Sequence, residues 1–373
     1  MTIIKESAPH LRNKASVTRM MVDVLIALAP TVIFAFVVYP IKMTIDLSIS
    51  LFIMIASEFV YVGLRNMMPN DGKKYTFKEK FIHSYKGKFT LNNVLTASIT
   101  AVIFTLCMPA GAPIYAVIIG SLVGIIFGKL VFGGLGSNIF NPAVVGMLFA
   151  KICFGSQYVS YVDTWYYTVP DAVSGATPLG NISGGMFSHY ADYPLIDMFL
   201  GRIPGTLGEV YTITILVGLV YLLVRRSIDY RIVVSYFGTF TLLALIAGLS
   251  LFGLNQEINP FGFTLYNLLA GGVLFGGAFM LTDPVTSPIN PPSRYMYGMI
   301  AAVSTIFIRF FAALPEGVGF SILIANMVSC VLDHYEWSSS KYTWKKFLAM
   351  GLIIVISGLV TFIAIYKGGT YRG

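Results

Sequence analysis

Long apolar runs, separated by short polar breaks, make up most of this chain. Eleven runs can be traced, at residues 21–39, 45–64, 91–108, 114–132, 139–154, 209–224, 232–252, 265–281, 297–311, 318–332 and 347–366. A helix needs roughly 20 apolar residues to cross a hydrocarbon core of about 30 Å, and most runs are near that length. One or more of the runs are short enough to be half-helices or re-entrant segments. The pattern predicts an all-α polytopic membrane protein with about ten (9–11) transmembrane helices, and the alternating strands of a membrane barrel are not seen.

The composition leads to the same class of protein. Hydrophobic residues account for 56% of the 373 residues and charged residues for 11%, whereas a soluble domain averages about 25% charged residues. The net charge of +8 is divided among separate loops, which is typical of the cytoplasmic loops of a membrane protein and not of a nucleic-acid-binding surface. The three cysteines have no paired spacing, and no zinc or Ser-His-Asp pattern is present, so we predict no metal site.

Charge also predicts the side of the membrane on which each loop lies. Residues 1–20 and 65–90 are basic and lie two runs apart, so both are expected in the cytoplasm. The polar loop 155–208 contains Arg202 as its only lysine or arginine and is expected on the outer face. The N-terminus lacks the features of a signal peptide, so the first span is expected to be retained. We therefore divide the chain into a cytoplasmic N-terminal segment (1–20), a first membrane half (21–154), an external loop (155–208), a second membrane half (209–334) and a cytoplasmic linker with a C-terminal apolar helix (335–373).

A short sequence match suggests an internal repeat. Phe-Thr-Leu-Asn-Asn-Val-Leu-Thr at 89–96 shares five of eight positions with Phe-Thr-Leu-Tyr-Asn-Leu-Leu-Ala at 263–270. A proline-bearing break follows each copy, with Pro109 and Pro113 after the first and Pro284 and Pro288 after the second. Five predicted spans separate the copies, so the second enters the membrane from the opposite face. This arrangement is typical of an inverted repeat with broken helices that meet near the midplane; two generic helix starts are the alternative.

Five polar residues within or beside the apolar runs are candidates for an ion path. They are Glu58, Asn93, Asn141, Asn267 and Asp283. Polar and ionisable groups inside a membrane are costly and usually face a partner or a water-filled path. If the repeat is real, Asn93 and Asn267 occupy pseudo-symmetric positions. Each of the five could equally cap a broken helix or satisfy backbone groups, and Glu58 could instead extend to the membrane interface.

The external loop contains small residues around one hydroxyl, in the run Asp-Ala-Val-Ser-Gly-Ala-Thr-Pro-Leu-Gly at 171–180. Ser174, Gly175 and Ala176 leave the backbone before Thr177 uncrowded, and Pro178 biases Thr177 towards an extended conformation. Such an accessible hydroxyl suits an enzyme that transfers FMN from FAD to form a phosphoester. An ordinary turn of small residues is the alternative interpretation.

Three stretches of the chain resemble one known family. They are Ser-Ala-Pro-His at 7–10 with Met-Met at 20–21 and Ala-Leu-Ala-Pro at 27–30, then Gly-Ser-Asn-Ile-Phe-Asn-Pro-Ala at 136–143, and Ser-Gly-Ala-Thr-Pro-Leu at 174–179. Together they are similar to the RnfD family, a membrane component of the Rnf complex, which is an ion-pumping ferredoxin:NAD⁺ oxidoreductase. They are also similar to a related membrane component of the sodium-pumping NADH:quinone reductase. The short N-terminal segment 1–20 favours the RnfD family, since the quinone-reductase component usually has a longer extension.

The resemblance implies FMN linked through its phosphate to Thr177, within an attachment motif formed by Ser174, Gly175, Ala176, Pro178 and Leu179. It also implies an inverted-repeat architecture, partner subunits with iron–sulfur and further flavin centres, a flavin transferase during maturation, and a second, non-covalent flavin (riboflavin or FMN). Membrane lipid is an expected partner and nucleic acid is not. The expected location is a bacterial or archaeal cytoplasmic membrane, with Thr177 on the outer face. A non-redox channel or transporter for a small solute and a purely structural membrane protein of the complex are the alternatives from other classes.

Overall fold

The structure is a computed structural model that describes residues 17–67, 77–155, 179, 193–254, 258–312, 317–334, 337 and 339–371. These residues are mostly helical, and the only pairing of extended backbone within these ranges is an isolated bridge between Pro109 and Thr206. The predicted all-α fold class is confirmed for this part of the chain.

Two groups of helices follow one another along the chain. The first group contains α1 (Val17–Val38), α2 (Pro40–Arg65), α3 (Phe77–Tyr85), α4 (Leu91–Leu106), α5 (Ile114–Ile125) with a π-helical continuation (Ile126–Leu130), and α6 (Pro142–Cys153). A short helix α7 (Leu195–Leu200) precedes the second group. That group contains α8 (Thr212–Arg225), α9 (Tyr230–Gly253), α10 (Pro260–Leu269), α11 (Val273–Phe275) with a π-helical continuation (Gly276–Met280), α12 (Pro291–Phe311), α13 (Val318–Leu332) and α14 (Trp344–Tyr371).

The two groups pack against each other through α1 with α8 and through α6 with α13. Within the groups, α2 packs against α4 and α5, and α9 packs against α12 and α14. The core is built mainly from aliphatic and aromatic side chains, and many large apolar side chains are also exposed on the outside of the bundle. An apolar exterior is expected of helices that contact lipid, because lipid cannot satisfy polar groups.

Three helices, α6, α10 and α12, begin with an Asn-Pro pair. Proline fits the first turn of a helix because its missing N–H would have no partner there. Asn141 Oδ1 accepts a hydrogen bond of 3.1 Å from the backbone N–H of Ala143, and Asn259 Oδ1 accepts one of 3.1 Å from Phe261. The stretch before α12 is too rich in proline to lie inside a helix. Proline is favourable at a helix start, however, and α12 begins directly at Pro291.

Four helices are long and apolar enough to cross a membrane: α1, α2, α9 and α14, the last over Trp344–Lys367. A fifth span is available if α10 and the α11 segment, which are bent by 64° relative to each other, count as one broken helix. The other apolar helices α4, α5 with its continuation, α6, α8 and α13 have 10–17 residues, short of the roughly 20 that a full crossing needs. The described helices therefore provide four or five spans by length and composition, and the predicted total of about ten is not established.

The predicted apolar run 265–281 is not one continuous helix. α10 ends at Leu269, Ala270 is extended (φ −77°, ψ 131°), and Gly271 has a φ of +65°. Glycine adopts a positive φ without the steric cost of a Cβ, and such a residue ends a helix. We call Ala270, Gly271 and Gly272 the helix bend. It lies within the apolar run, ahead of the break that the sequence predicted at Pro284 and Pro288.

The predicted sequence repeat does not occupy equivalent positions in its two copies. Thr90 caps the start of α4, with Asn93 in the first turn, whereas Thr264 and Asn267 lie inside α10. The two π-helical continuations are more alike, because each has five residues and is followed by a turn that leads into an Asn-Pro helix start. These segments resemble each other in structure more than the stretches 89–96 and 263–270 do, and an inverted repeat is not established.

Two predicted loops contain structure that the pattern did not indicate. The basic loop 65–90 contains α3, which packs against α2. The end of the predicted external loop is buried, since the N–H groups of Leu207 and Gly208 donate to the carbonyl oxygens of Met108 and Leu106 at 2.9 and 2.8 Å. The last carbonyls of a helix have no partner within it, and this segment supplies donors at the end of α4.

Candidate functional site

A cavity lies between the two groups of helices. It has about 790 Å³ of atom-free space, part of which is open to the outside. Its walls are mainly apolar, with a small set of polar side chains: Thr96, Thr100, Lys129, Asn138, Asn141, Ser227, Thr282 and Asp283. Concave apolar walls with a few convergent polar groups are typical of a ligand or ion site.

Lys129 is the central charged group of this cavity. It lies in the first π-helical continuation, and its side chain is only 3% exposed. Its Nζ is 3.1 Å from Oε2 of Glu58 on α2 and donates a hydrogen bond of 2.8 Å to Oγ1 of Thr96 on α4. Oε1 of Glu58 accepts a bond of 2.9 Å from Nδ2 of Asn93. The structure thus brings together the predicted candidates Glu58 and Asn93, and Glu58 faces a buried partner and not the membrane interface.

The ion pair explains how two charges can be buried here. An isolated charge in a membrane interior is costly, and only a close partner with further hydrogen bonds offsets the loss of hydration. The sequence analysis did not select Lys129, although the signal was present as a single lysine within the apolar run 114–132.

Asp283 approaches the same lysine from the second group of helices. It follows the second π-helical continuation, lines the cavity, and accepts a hydrogen bond of 3.1 Å from the backbone N–H of Val285. Its carboxylate is close enough to Lys129 for electrostatic attraction. A carboxylate from each group of helices therefore lies near Lys129, with the short contact made by Glu58.

Asn141 joins the two halves beside the cavity. Its Oδ1 caps α6, and its Nδ2 donates a hydrogen bond of 3.2 Å to the carbonyl oxygen of Met280 at the end of the second π-helical continuation. Asn141 thus matches the predicted alternative, a cap on a helix start. The hydrogen bond from Asn141 to Met280 also joins α6 to the second group of helices. A helix cap alone does not require such a contact.

Asn267 lies apart from this cluster. It is fully buried in α10, and its Nδ2 donates to the carbonyl oxygen of Phe263 at 3.0 Å. Asn93 bonds to the side chain of Glu58 on another helix, whereas Asn267 bonds to its own helix, so the two residues predicted as a pseudo-symmetric pair have different environments. Asn267 belongs with the helix bend.

The predicted attachment motif falls mostly outside the described residues. Thr177 lies there with its neighbours Ser174, Gly175, Ala176 and Pro178. Leu179 is described and is 2% exposed. It packs on the helix bend, where a Cβ placed on Gly271 would be 2.5 Å from Leu179 Cδ1.

Buried carboxylates outside the predicted sites include those of Asp46 and Asp23. Asp46 on α2 is fully buried with Lys42 Nζ at 3.0 Å, and Lys42 also donates to the carbonyl oxygen of Ala112 at 2.5 Å. Asp23 on α1 accepts a bond of 2.6 Å from Ser227 Oγ in the turn after α8. Among the described residues, no group of three or more His, Cys, Asp or Glu side chains could hold a metal ion.

The comparisons with known proteins identify the family. The model of the NQR2, RnfD, RnfE family matches residues 4–340 of this chain. The chain belongs to this family. The resemblance carried by the three sequence stretches is thereby confirmed.

Two groups of relatives stand out. The first is a component of the Na(+)-translocating NADH-quinone reductase, which we call the quinone-reductase component. The chain is 37% identical over 241 residues to that of Chromohalobacter salexigens, covering 64% of this chain and 57% of that protein. The corresponding protein of Klebsiella pneumoniae is 35% identical over 246 residues, with 63% and 58% covered.

The second is a component of the proton-translocating ferredoxin:NAD(+) oxidoreductase complex of Clostridium ljungdahlii, which we call the Clostridium component. It is 30% identical over 340 residues, with 88% of this chain and 93% of that protein covered. The chain thus spans little more than half the length of the quinone-reductase components and nearly the full length of the Clostridium component.

Proposed function

We propose that this chain is a membrane subunit of an Rnf-type ion-translocating complex, which couples electron transfer between ferredoxin and NAD to the movement of Na⁺ or H⁺. The observation that carries this proposal is the match to the Clostridium component over 88% of this chain and 93% of that protein. A role like that of the quinone-reductase component in a sodium-pumping NADH:quinone reductase is the second candidate. This second candidate is supported by a sequence identity of 37% to the quinone-reductase component, compared with 30% to the Clostridium component, although the match is shorter.

The proposal includes FMN linked through its phosphate to Thr177. When bound, FMN supplies the redox chemistry, and the chain positions it. The environment of Leu179 supports the fit, because this leucine lies two residues after Thr177 and is buried against the helix bend. A buried side chain so near the acceptor hydroxyl would limit the movement of a tethered flavin.

The remaining elements of the proposal follow from membership of such a complex. They are partner subunits with iron–sulfur and flavin centres, a flavin transferase during maturation, and a second, non-covalent flavin. The chain would lie in a bacterial or archaeal cytoplasmic membrane, with its N-terminus in the cytoplasm and Thr177 on the outer face. An inverted repeat centred on the two π-helical continuations would place the cavity near the membrane midplane.

The cavity is the proposed part of the ion path. Lys129 holds the Glu58 carboxylate in the arrangement described, and Asp283 lines the same cavity. A cation that enters the cavity would compete with Lys129 for these carboxylates. A shift of Lys129 would therefore change the affinity of the carboxylates for the cation. Coupling requires such a difference in affinity between two states. Asn141 connects the halves that would move, and Asn267 lies at the helix bend outside the cavity.

The test of this proposal is the intact mass of the chain, purified from cells that contain its flavin transferase, for the native protein and for Thr177→Val. We expect an FMN adduct on the native chain, loss of that adduct in the variant, and loss of flavin fluorescence from the denatured band. Thr168→Val, at a threonine of the same loop outside the attachment motif, is the matched control and should retain the adduct.

Each alternative gives a different result. Fluorescence that persists in Thr177→Val would overturn Thr177 as the attachment site. A native chain without flavin, made with its transferase, would favour the non-redox channel or transporter. Full electron transfer by a complex that contains Thr177→Val would favour a purely structural role.

A further inference from the structure

The buried face of α2 carries carboxylates at two levels of the helix. Asp46 and Glu58 are both buried, and Glu58 follows Asp46 by twelve residues. A helix rises about 1.5 Å per residue, so about 18 Å along the helix axis separates the two positions. Lys42 Nζ lies 3.0 Å from Oδ1 of Asp46. Lys129 Nζ lies 3.1 Å from Oε2 of Glu58. One helix thus contributes to two buried pairs of a carboxylate with a lysine.

Lys42 holds its ammonium group between two oxygen atoms. The first is Oδ1 of Asp46, and the second is the carbonyl oxygen of Ala112 in the turn between α4 and α5, to which Nζ donates a hydrogen bond of 2.5 Å. Oδ2 of Asp46 is buried and accepts no hydrogen bond from the described residues. Carboxylate and carbonyl oxygens are the ligands that hard cations take in proteins. The ammonium group therefore occupies a position that suits a small cation.

The stability of α2 does not account for the pair of Lys42 and Asp46. Lys42 is the third residue of the helix, which begins at Pro40, and the N-terminal end of a helix carries partial positive charge that disfavours a cation. A lysine that precedes its acidic partner by four residues is also the weaker of the two orientations. Two apolar side chains would avoid the cost of removing both charges from water. Ionisable groups that are kept in a membrane interior despite this cost usually mark an ion path.

The same pair lies near the end of α2 that is expected at the outer face. α2 ends at Arg65, beside the basic loop 65–90 that is expected in the cytoplasm, so Pro40 is expected near the opposite side. The side chain of Lys42 is 12% exposed, whereas that of Asp46 is not exposed. A lysine is long enough to extend its ammonium group to water while its methylene stem stays in apolar surroundings. Lys42 is thus able to leave Asp46 towards the outer face while α2 stays folded.

Two hydroxyl groups lie between the levels of the carboxylates. Ser50, one helical turn after Asp46, and Ser121 on α5 are both buried, and Oγ of Ser121 donates a hydrogen bond of 3.2 Å to Oγ of Ser50. Met54 is the buried residue of the next turn, ahead of Glu58. The buried face of α2 therefore offers oxygen atoms at three levels between the cavity and the outer end, with one apolar step.

We propose that Asp46 is a binding site for the transported monovalent cation, Na⁺ or H⁺, at the outer end of the ion path, and that Lys42 is its displaceable partner. This inference rests on the proposed function, because it extends the path that begins at the cavity. The cation passes Ser121 and Ser50 and reaches the Asp46 carboxylate when Lys42 turns outward. Return of the Lys42 ammonium group to Asp46 and Ala112 then expels the cation to the outer face. The site holds either Lys42 or the cation, because both are positively charged and use the same oxygen atoms.

Carbodiimide labelling of the intact complex tests whether Lys42 leaves Asp46. Dicyclohexylcarbodiimide reacts with a protonated carboxyl group in apolar surroundings and not with a carboxylate held by an ammonium group. Labelling at Asp46, assigned by mass spectrometry, should be low at rest and rise about tenfold during electron transfer, because the population without Lys42 at the site rises. Added Na⁺ should suppress this rise if Na⁺ is the cation and leave it unchanged if H⁺ is.

Two controls accompany the labelling. Asp23 is a buried carboxylate on α1 that is bonded to Ser227, and its labelling should be the same at rest and during electron transfer. Lys42→Met should be labelled at Asp46 even at rest, which shows that the reagent reaches this residue. Labelling of Lys42→Met without any rise in the native complex would overturn the inference, because Lys42 would then stay on Asp46 throughout the cycle.

Ion uptake into vesicles that contain the complex is the second test. The double variant Lys42→Met/Asp46→Asn removes both charges, so neither is left buried without a partner, and its thermal unfolding midpoint should be close to the native value. Its ion uptake per electron should fall about tenfold, which corresponds to about 1.4 kcal/mol. Ser48→Ala, on the exposed face of α2, is the matched control and should transport at the native rate. Native uptake by the double variant would mean that the pair is only structural.

The failure of this inference can be told apart from the failure of the proposed function. A native chain without an FMN adduct, or a complex that moves no ions, contradicts the proposed function. Labelling of resting Lys42→Met with and without Na⁺ still reports whether Asp46 takes up a cation in that case. A native complex with the adduct and with coupled ion uptake that does not depend on Lys42 and Asp46 contradicts the inference about Asp46 alone.

Discussion

Lys129 and Glu58 form a buried ion pair whose removal has two separable consequences. Each charge is compensated by the other and by hydrogen bonds from Lys129 to Thr96 and from Asn93 to Glu58. Removal of one partner leaves the other charge buried and unpaired, whereas removal of both leaves neutral groups of similar volume. The pair can therefore be tested for stability and for ion transport independently.

We expect Lys129→Met to destabilise the protein by about 3–5 kcal/mol, because Glu58 then remains buried without its partner. The double variant Glu58→Gln/Lys129→Met should recover most of that loss. The thermal unfolding midpoint in detergent measures both effects, and Lys86→Met, at an exposed lysine, is the control.

Ion uptake into vesicles that contain the complex separates structure from function. The stable double variant should transport ions poorly, because the exchange of partners between Lys129 and the two carboxylates is lost. Native rates of ion transport in that variant would mean that the pair has only a structural role.

At the scale of elements, the start of α6 connects the two halves of the molecule. Asn141 caps α6 as Asn259 caps α10, and Asn141 also donates to the second π-helical continuation, at Met280. The comparison of these two caps therefore distinguishes the local contribution of an N-cap from the contribution of the link between halves.

We expect Asn259→Ala to cost about 1 kcal/mol, the usual contribution of an N-cap. Asn141→Ala should cost more, because it also leaves the buried carbonyl oxygen of Met280 without this donor. Thermal unfolding of both variants checks the difference. Asn141→Ser keeps the cap on α6 and loses the hydrogen bond to Met280. Its unfolding midpoint should therefore lie between those of Asn141→Ala and the native protein. The number of ions transported per electron should fall. Equal costs for Asn141→Ala and Asn259→Ala would show that the link contributes nothing.

At the scale of the whole molecule, the two halves meet closely along α1 and α8. Gly218 on α8 lies against Ala27 on α1, where an added Cβ would overlap the carbonyl oxygen of Ala27 and lie 2.8 Å from Cζ of Phe279. Small residues allow membrane helices to pack at such short distances. Thr31 and Thr214 form a hydrogen bond of 3.1 Å across the same interface.

A side chain at position 218 should push the halves apart. We expect Gly218→Ala to destabilise the protein by about 1–3 kcal/mol through overpacking, and to alter the cavity because Phe279 lines it. Gly238→Ala is the matched control, since a Cβ there has no heavy atom within 4 Å among the described residues. The unfolding midpoint and the rate of ion-coupled electron transfer measure the two effects. If Gly218→Ala and Gly238→Ala behave alike, the α1–α8 contact does not set the distance between the halves.

The class of the protein and many helix boundaries could be predicted from the sequence. Apolar runs and prolines are local features, and the run 318–332 coincides with α13 while the Asn-Pro pairs mark three helix starts. The position of the bend within the run 265–281 could not be predicted, because apolar character is the same on both sides of it. The bend depends on the backbone of Gly271 and on Arg309, which lies far away in the sequence.

What the sequence by itself determined is the membrane class, the candidate acceptor Thr177, and a set of polar residues too costly to bury without partners. Only the tertiary structure decided which partner each residue has, because those partners come from different helices. It joined Glu58 to Lys129 and Asn93, brought Asp283 to the wall of the same cavity, gave Asn141 a contact in the other half, and left Asn267 outside the cavity. It also placed Leu179 and Glu209 on adjacent glycines of one bend. Hydropathy is a property of single positions, whereas the pairing of buried charges depends on how helices distant in the chain pack together.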